Sequence, residues 1–317
     1  MGVDFLIQII DKFRGEILLF TSAFLFAASG IPAKLLLAQD LSAFHLAQVR
    51  CLGAFVLLVT FLLIRNRRSL LMTKKEIPFL LAYGIIGFAL VQSAYFFAIS
   101  RMELSIALVV EFTAPIWITF YVRYIQKRYV ASTMWWAIAL AFIGLTLVAQ
   151  IYRGMTVDGL GFVVALIDAF ALAAYFLMGE HGVKTRSSTS LTTYGFGVAT
   201  LFWFFVLPVW NFPFAIFTQQ IPLSGISDST LPGWMLLTYM ILAGTIVPYL
   251  CVLNGIRFIS ASQASLIGML EPVIAGFFAW FALSEQLAPI QILGGAIVLA
   301  GIYLAERSRQ ASHNAIN

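Results

Sequence analysis

Charge is scarce in this chain: Asp, Glu, Lys and Arg supply only 10% of 317 residues, while 61% are hydrophobic. Soluble domains carry roughly 25% charged residues, so a soluble fold is excluded. Strict period-2 alternation is also missing, which argues against an outer-membrane barrel and for helices. There are two cysteines, Cys51 and Cys251, and three histidines, His45, His181 and His313. They form no disulfide framework, no metal-ligand spacing and no His-Glu-x-x-His pattern, and no paired intramembrane aspartates compensate. The chain is therefore expected not to be an enzyme and to use neither metal nor cofactor. Its net charge of +5 comes from basic residues lying between apolar runs rather than in one patch, so no nucleic-acid partner is expected.

What the chain has in abundance is apolar runs long enough to cross a hydrocarbon core, which takes about 20 helical residues. They fall at 16–37, 44–64, 77–98, 105–123, 132–151, 158–178, 190–210, 232–255, 262–282 and 288–305. The expected fold class is an all-α integral membrane protein with ten transmembrane helices. The first run follows Lys12 and Arg14, is too long for a signal peptide and ends at no small-residue cleavage site, so it is expected to be retained. Residues 1–14 form an amphipathic lead, with Phe5, Leu6, Ile9, Ile10 and Phe13 at helical spacing. Cytoplasmic loops are enriched in Lys and Arg. With the N-terminus inside, the inner side holds 15 such residues and the outer side only Arg101 and Arg153, which predicts both ends in the cytoplasm. The longest loop, Asn211 to Leu231, lacks basic residues, lands outside and is expected to be irregular.

Two stretches, Ala98 to Ile116 and Phe258 to Gly276, fall into register at an offset of 160 residues, matching Ile99 with Ile259, Ser100 with Ser260, Ser105 with Ser265 and Glu111 with Glu271. A carboxylate inside an apolar run is costly, and here it recurs at one place in both copies. Each is followed closely by a proline, Pro115 and Pro272, and the register extends upstream through Gly84 and Gly244. Ten spans divide into two fives, and five is odd, so the second copy must enter the membrane from the opposite side. The expectation is two inverted five-helix repeats, 15–153 and 154–306, after the lead 1–14 and before a cytoplasmic tail 307–317. That arrangement is a common basis of alternating access.

An ionisable group at a helix centre costs about 2.5–3.5 kcal/mol on insertion scales, so the buried ones are the candidate substrate or coupling residues. Glu111 and Glu271 come first. Pro115 and Pro272 lack an N–H and free the carbonyls of Glu111 and Gly268, which suits a cation, a substrate amine or a proton. A purely structural reading is that the acids lock helix packing. Arg50 and Lys34 suit an anionic group such as a carboxylate; snorkelling of Lys34 and a structural ion pair for Arg50 compete. Asp168 is a third buried acid. Gln92, Tyr95, Trp117, Tyr175, Tyr194, Tyr249 and Asn254 are cavity candidates, the two amides above all, since amides at lipid depth need partners. Gly84, Gly87, Gly144, Gly195, Gly197, Gly294, Gly295 and Gly301 are expected to allow close helix contacts.

The second copy reads Leu270-Glu271-Pro272, then Leu283-Ser284-Glu285-Gln286-Leu287, then Gln291-Ile292-Leu293-Gly294-Gly295 and Ala300-Gly301. This resembles the EamA family of the drug/metabolite transporter superfamily, which shares the acidic-proline turn, the "L-x-E" loop and the Gly-rich last helix. In the first copy Lys34, Arg50, Glu111, Pro115 and Gly144 are placed as in that family, although Tyr124-Ile125-Gln126-Lys127 has no acid where Glu285 stands. The resemblance implies a ten-helix inverted-repeat carrier of the bacterial inner membrane that exports small metabolites such as amino acids or their relatives. Its partners would be a small-molecule solute, the lipid bilayer and protons as a candidate coupling ion. A monomer is expected, with a dimer as the alternative, and nucleosides or cationic drugs as the alternative solutes.

Overall fold

Where water is absent, backbone N–H and C=O groups must pair within the protein, which leaves helices or closed barrels as the only spanning forms. The computed structural model describes residues 13–39, 41–102, 104–150, 158–223, 229–283 and 288–314, and these form a helical bundle. In chain order the helices are α1 (Arg14–Leu37), α2 (Ala43–Arg65), α3 (Ile77–Ile99), α4 (Leu104–Glu111) and α5 (Ala114–Phe120). Then come α6 (Ser132–Val148), α7 (Gly159–Gly182), α8 (Ser188–Val206), α9 (Gly233–Gly255), α10 (Ala261–Gly268), α11 (Leu270–Leu283) and α12 (Pro289–Asn314). Among the described residues, nine helical stretches are long and apolar enough to cross a membrane. The short one is α6, whose 17 residues reach about 26 Å at 1.5 Å each.

Most expected spans match within a few residues, with two departures. The seventh ends at Val206, not 210, because Pro208 pushes Leu207 into an extended conformation (φ −133°, ψ 101°). The tenth runs on to Asn314. The loop expected to be irregular is partly ordered. It carries two 3₁₀ turns and an antiparallel pair, β1 (Gln220–Pro222) with β2 (Thr230–Pro232). Phe212, Ile216 and Ile221 tuck it against Leu35, Leu36 and Leu41 at the end of α1. The amphipathic lead up to Lys12 and the Glu285 loop lie outside the described residues.

Helix partners follow a pattern. The first helix of the chain, α1, packs on α9, α10 and α11, while α7 packs on α3, α4 and α5. The remaining helices pair off, α2 with α8 and α6 with α12. The α6–α12 contact is made at glycine. A Cβ on Gly144 would sit 2.6 Å from the carbonyl oxygen of Gly294, and one on Gly294 would sit 2.6 Å from that of Gly144. Without side chains the two backbones touch, the usual way helices associate when lipid competes equally well for apolar surface.

The loops sort to two ends. At one, Gln219 Nε2 donates to Gln39 Oε1 at 2.8 Å, and Arg101 meets Asp158 at 2.9 Å. At the other, Arg186 holds the 66–76 connection. Its Nη1 lies 2.6 Å from Glu76, its Nη2 donates to the carbonyls of Ser69 and Leu71, and its guanidinium lies over Tyr194, whose hydroxyl donates to Leu70. Glu180 takes Arg128 at 2.9 Å, Lys184 at 3.6 Å and the backbone N–H of Ala261 at 3.0 Å. Arg257 donates to Ser188 and to the carbonyl of Arg186.

Two measurements check these contacts. Replacing Gly144 by Ala forces α6 and α12 apart and should cost about 1–3 kcal/mol, as overpacking does; thermal melting in detergent reads it. Gly30→Ala, where nothing lies within 4 Å of the new methyl, should not lower the melt, since Ala is the better helix former. The Glu76 carboxyl is held well below its ordinary 4.5, to about 2, by the backbone N–H and hydroxyl of Thr73 and by Arg186. Its folded state binds the proton less readily than the unfolded chain does, so stability from this group is full above about pH 4.5 and is lost as pH falls toward 2. Glu76→Gln should flatten that acid limb of a melting-versus-pH curve.

Candidate functional site

The acid-proline segments break their helices. The fourth span stops at Glu111 and restarts at Ala114, and the ninth stops at Gly268 and restarts at Leu270. Pro115 has no N–H for the carbonyl of Glu111, nor Pro272 for that of Gly268. In the first break Thr113 N–H turns back to Val110 instead, and in the second Met269 N–H turns back to Leu266. The two breaks face each other: a Cβ on Gly268 would lie 3.8 Å from the Phe112 ring. Glu111 and Glu271 thereby come within electrostatic range of one another.

Four further groups join them. Tyr95, from α3, lies within electrostatic range of Glu111, Glu271, Asp168 and Arg50. Tyr249, from α9, senses Arg50, Glu111 and Glu271. Asp168, from α7, faces Glu111; it is 1% exposed and its Oδ1 has no hydrogen-bond partner among the described residues. Glu271 senses the positive charge of Arg50. Glu111, Glu271, Tyr95, Tyr249 and Arg50 are surrounded by protein yet keep accessible surface, as residues lining a recess do. Below Tyr249 lies an aromatic bed of Phe26, Phe88, Phe196 and Tyr175, with ring centroids 5.0–5.8 Å away.

Arg50 has a second task. Its Nε donates to Thr245 Oγ1 at 2.8 Å and its Nη2 to the carbonyl of Gly244 at 2.9 Å. In α9 that carbonyl's donor four residues on would be residue 248, a proline. Here the helix widens into a π-turn, Leu242–Ile246, where the Thr245 hydroxyl also donates to Met240 at 2.7 Å. A π-turn at Ile85–Leu90 of α3 overlaps it in the 160-residue register. Arg50 thus repairs backbone polarity that Pro248 exposes, and three of its five N–H groups make no hydrogen bond among the described residues.

Other expected site residues go elsewhere. Gln92 is buried against Cys51, Nε2 to Sγ 3.5 Å, so that cysteine is an amide partner as well as a small apolar group. Tyr175 stacks with Tyr83 at 5.8 Å, and the two buried hydroxyls lie close to one another. Trp117 donates to Thr113 at 3.1 Å and packs on Phe170 at 4.6 Å. Asn254 donates to the carbonyl of Leu250 in its own helix at 2.8 Å. Lys34 is exposed in the last turn of α1, apart from the cluster. Sequence reasoning missed Thr245 and Pro248. The signal was present, because an in-span proline frees the carbonyl four residues earlier whether or not an acid stands there. Losing both acceptor bonds in Arg50→Met should cost about 3 kcal/mol, with Arg50→Lys intermediate. Hydrogen exchange across 242–250 should rise in the same order.

The geometry can be set beside known proteins. The model of the EamA-like transporter family matches residues 13–150 and again 159–307. The uncharacterized transporter YdfC of Bacillus subtilis is 25% identical over 258 residues, covering 81% of this chain and 80% of its own. The uncharacterized inner membrane transporter YicL of Salmonella typhimurium is 22% identical over 315 residues, covering 92% and 94%. A protein of known crystal structure, 12% identical, superposes with a TM-score of 0.74 over 94% of this chain and 98% of its own, which shows a shared fold. With two tandem family matches over a multi-pass helical bundle, the chain belongs to the EamA-like transporter family.

Proposed function

We propose that this membrane transporter is a secondary carrier working by alternating access, with the cluster around Glu111, Glu271, Arg50, Asp168 and Tyr95 as its solute and coupling site. One observation carries the reading: charged groups from both sequence copies converge on one recess although each is costly in an apolar bundle. Two inverted five-helix repeats with both ends inside would explain further features. Tandem family matches, overlapping π-turns, equivalent helix breaks and reciprocal glycine contacts between α6 and α12 all support it. So does the packing, since the first helix of each copy rests on the other copy's third and fourth spans. In this reading α6, at 17 residues, is the fifth of ten spans.

The solute is a small metabolite bearing an amine, an amino acid or a derivative being the best fit, moved outward across a bacterial inner membrane. Glu111 and Glu271 take the ammonium, and the spare N–H groups of Arg50 take a carboxylate. Gln92 braces the Arg50 helix, and Tyr175, Trp117 and Asn254 shape the walls. Lys34 acts at the mouth.

A thermal-stability screen of the purified carrier against amino acids, nucleosides and organic cations is the first test, because a bound solute stabilises by mass action. An amino acid is expected to raise the melting temperature, and Glu111→Gln to abolish that rise and the flux in vesicles. Unchanged flux in Glu111→Gln at every pH would remove Glu111 from the mechanism. Stabilisation by nucleosides or organic cations alone would replace the solute.

A further inference from the structure

The recess is unevenly charged. Arg50, anchored on α9, faces Glu271, so that side is balanced. Glu111 and Asp168 stand on packed neighbours, α4 and α7, with no cation between them among the described residues. Among the described residues, every titratable or charged group on the helices packed against α7 near Asp168 is an acid or a phenol: Glu111 from α4, and Tyr95 and Tyr83 from α3. On α7 itself Tyr175 is two turns away; Glu180, three turns away, is already taken by Arg128 and Lys184, and His181, beyond it in the last turn, packs on Phe79. Arg50, Glu271 and Tyr249 reach the site from across the recess. Two adjacent carboxylates, one of them sealed inside the protein and neither beside a cation among the described residues, do not both stay ionised. Asp168, 1% exposed with an unpartnered Oδ1, is the less solvated of the two, since Glu111 keeps accessible surface.

We infer that the Asp168–Glu111 pair is a proton site: in the empty carrier one proton resides on Asp168, beside an ionised Glu111. This deepens the transport reading and names its coupling ion. When an ammonium group enters beside Glu111, the Asp168 proton leaves to water. One positive charge goes out as one comes in, and the site's net charge is unchanged. The reverse exchange reloads the carrier. A proton and a cationic cargo would then compete for the same pair, giving exchange rather than leak.

Infrared spectroscopy of the full-length protein in lipid nanodiscs tests this with no solute present, so its outcome is independent of any flux assay. At neutral pH a protonated-carboxyl C=O band is expected that shifts on H/D exchange. Carboxyl-¹³C aspartate should move the band in the unsubstituted protein, and carboxyl-¹³C glutamate should not. Asp168→Asn should lose it and Glu271→Gln should keep it; the isotope arms stand even if a variant fails to fold. Replacing a bulky organic cation in the buffer by sodium or potassium should leave the band intact. Absence of an aspartate-sensitive band at neutral pH would overturn the proposal, as would its survival in folded Asp168→Asn. Loss of the band on adding an alkali cation would also overturn it, assigning the pair to a metal cation instead.

Discussion

A carboxylate carried into a medium without water loses several kcal/mol of hydration, and it stays only where other groups replace that hydration or remove its charge. This bundle gathers three such acids within range of Tyr95 and sets one guanidinium beside Glu271, and the local architecture can be followed outward from that constraint. Helix breaks at 112–113 and 269 bring Glu111 and Glu271 face to face. Arg50 answers one of the acids while tied to the π-turn that Pro248 imposes on α9. Removing any of these pieces leaves another polar group exposed to an apolar interior.

Packing adds a second constraint. Lipid chains solvate leucine as well as another helix does, so spans associate through close backbone approach and through polar bonds. The α6–α12 contact uses the first means, with Gly144 and Gly294 each against the other's carbonyl. The charged loops at the Arg186 end use the second, where Glu76, Glu180, Arg128 and Arg257 tie successive connections together. The recess lies among helices that pack chiefly as α1 with α9 to α11 and α7 with α3 to α5, with α10 touching both sets. Acids come from both groups, so a movement between them would change the site's charge environment.

Much of this was legible in the sequence, and for physical reasons. Span positions follow from apolar length, and the breaks from proline's missing N–H at Pro115 and Pro272. The costly acids Glu111, Asp168 and Glu271 stood out because a retained cost asks for a cause. What the sequence hid is pairwise. Nothing in the one-dimensional pattern says that Arg50 meets Gly244, nearly two hundred residues away, or that Gln92 meets Cys51. Asn254 looked like a cavity amide, yet its own helix supplies an acceptor one turn back. The Asn211 to Leu231 loop reads as irregular because Pro and Gly punctuate it, while its order comes from Phe212, Ile216 and Ile221 reaching the end of α1.

In the proposed mechanism one charged recess is reached from each face of the membrane in turn. A single thiol at Thr113, within the first helix break, tests it directly in a background where Cys51 and Cys251 are replaced by serine. In oriented vesicles, membrane-impermeant thiol reagents applied to either side should each label the Thr113→Cys carrier, and prior labelling from one side should protect against the other. Labelling from one side only, under all conditions of pH and solute, would contradict the account.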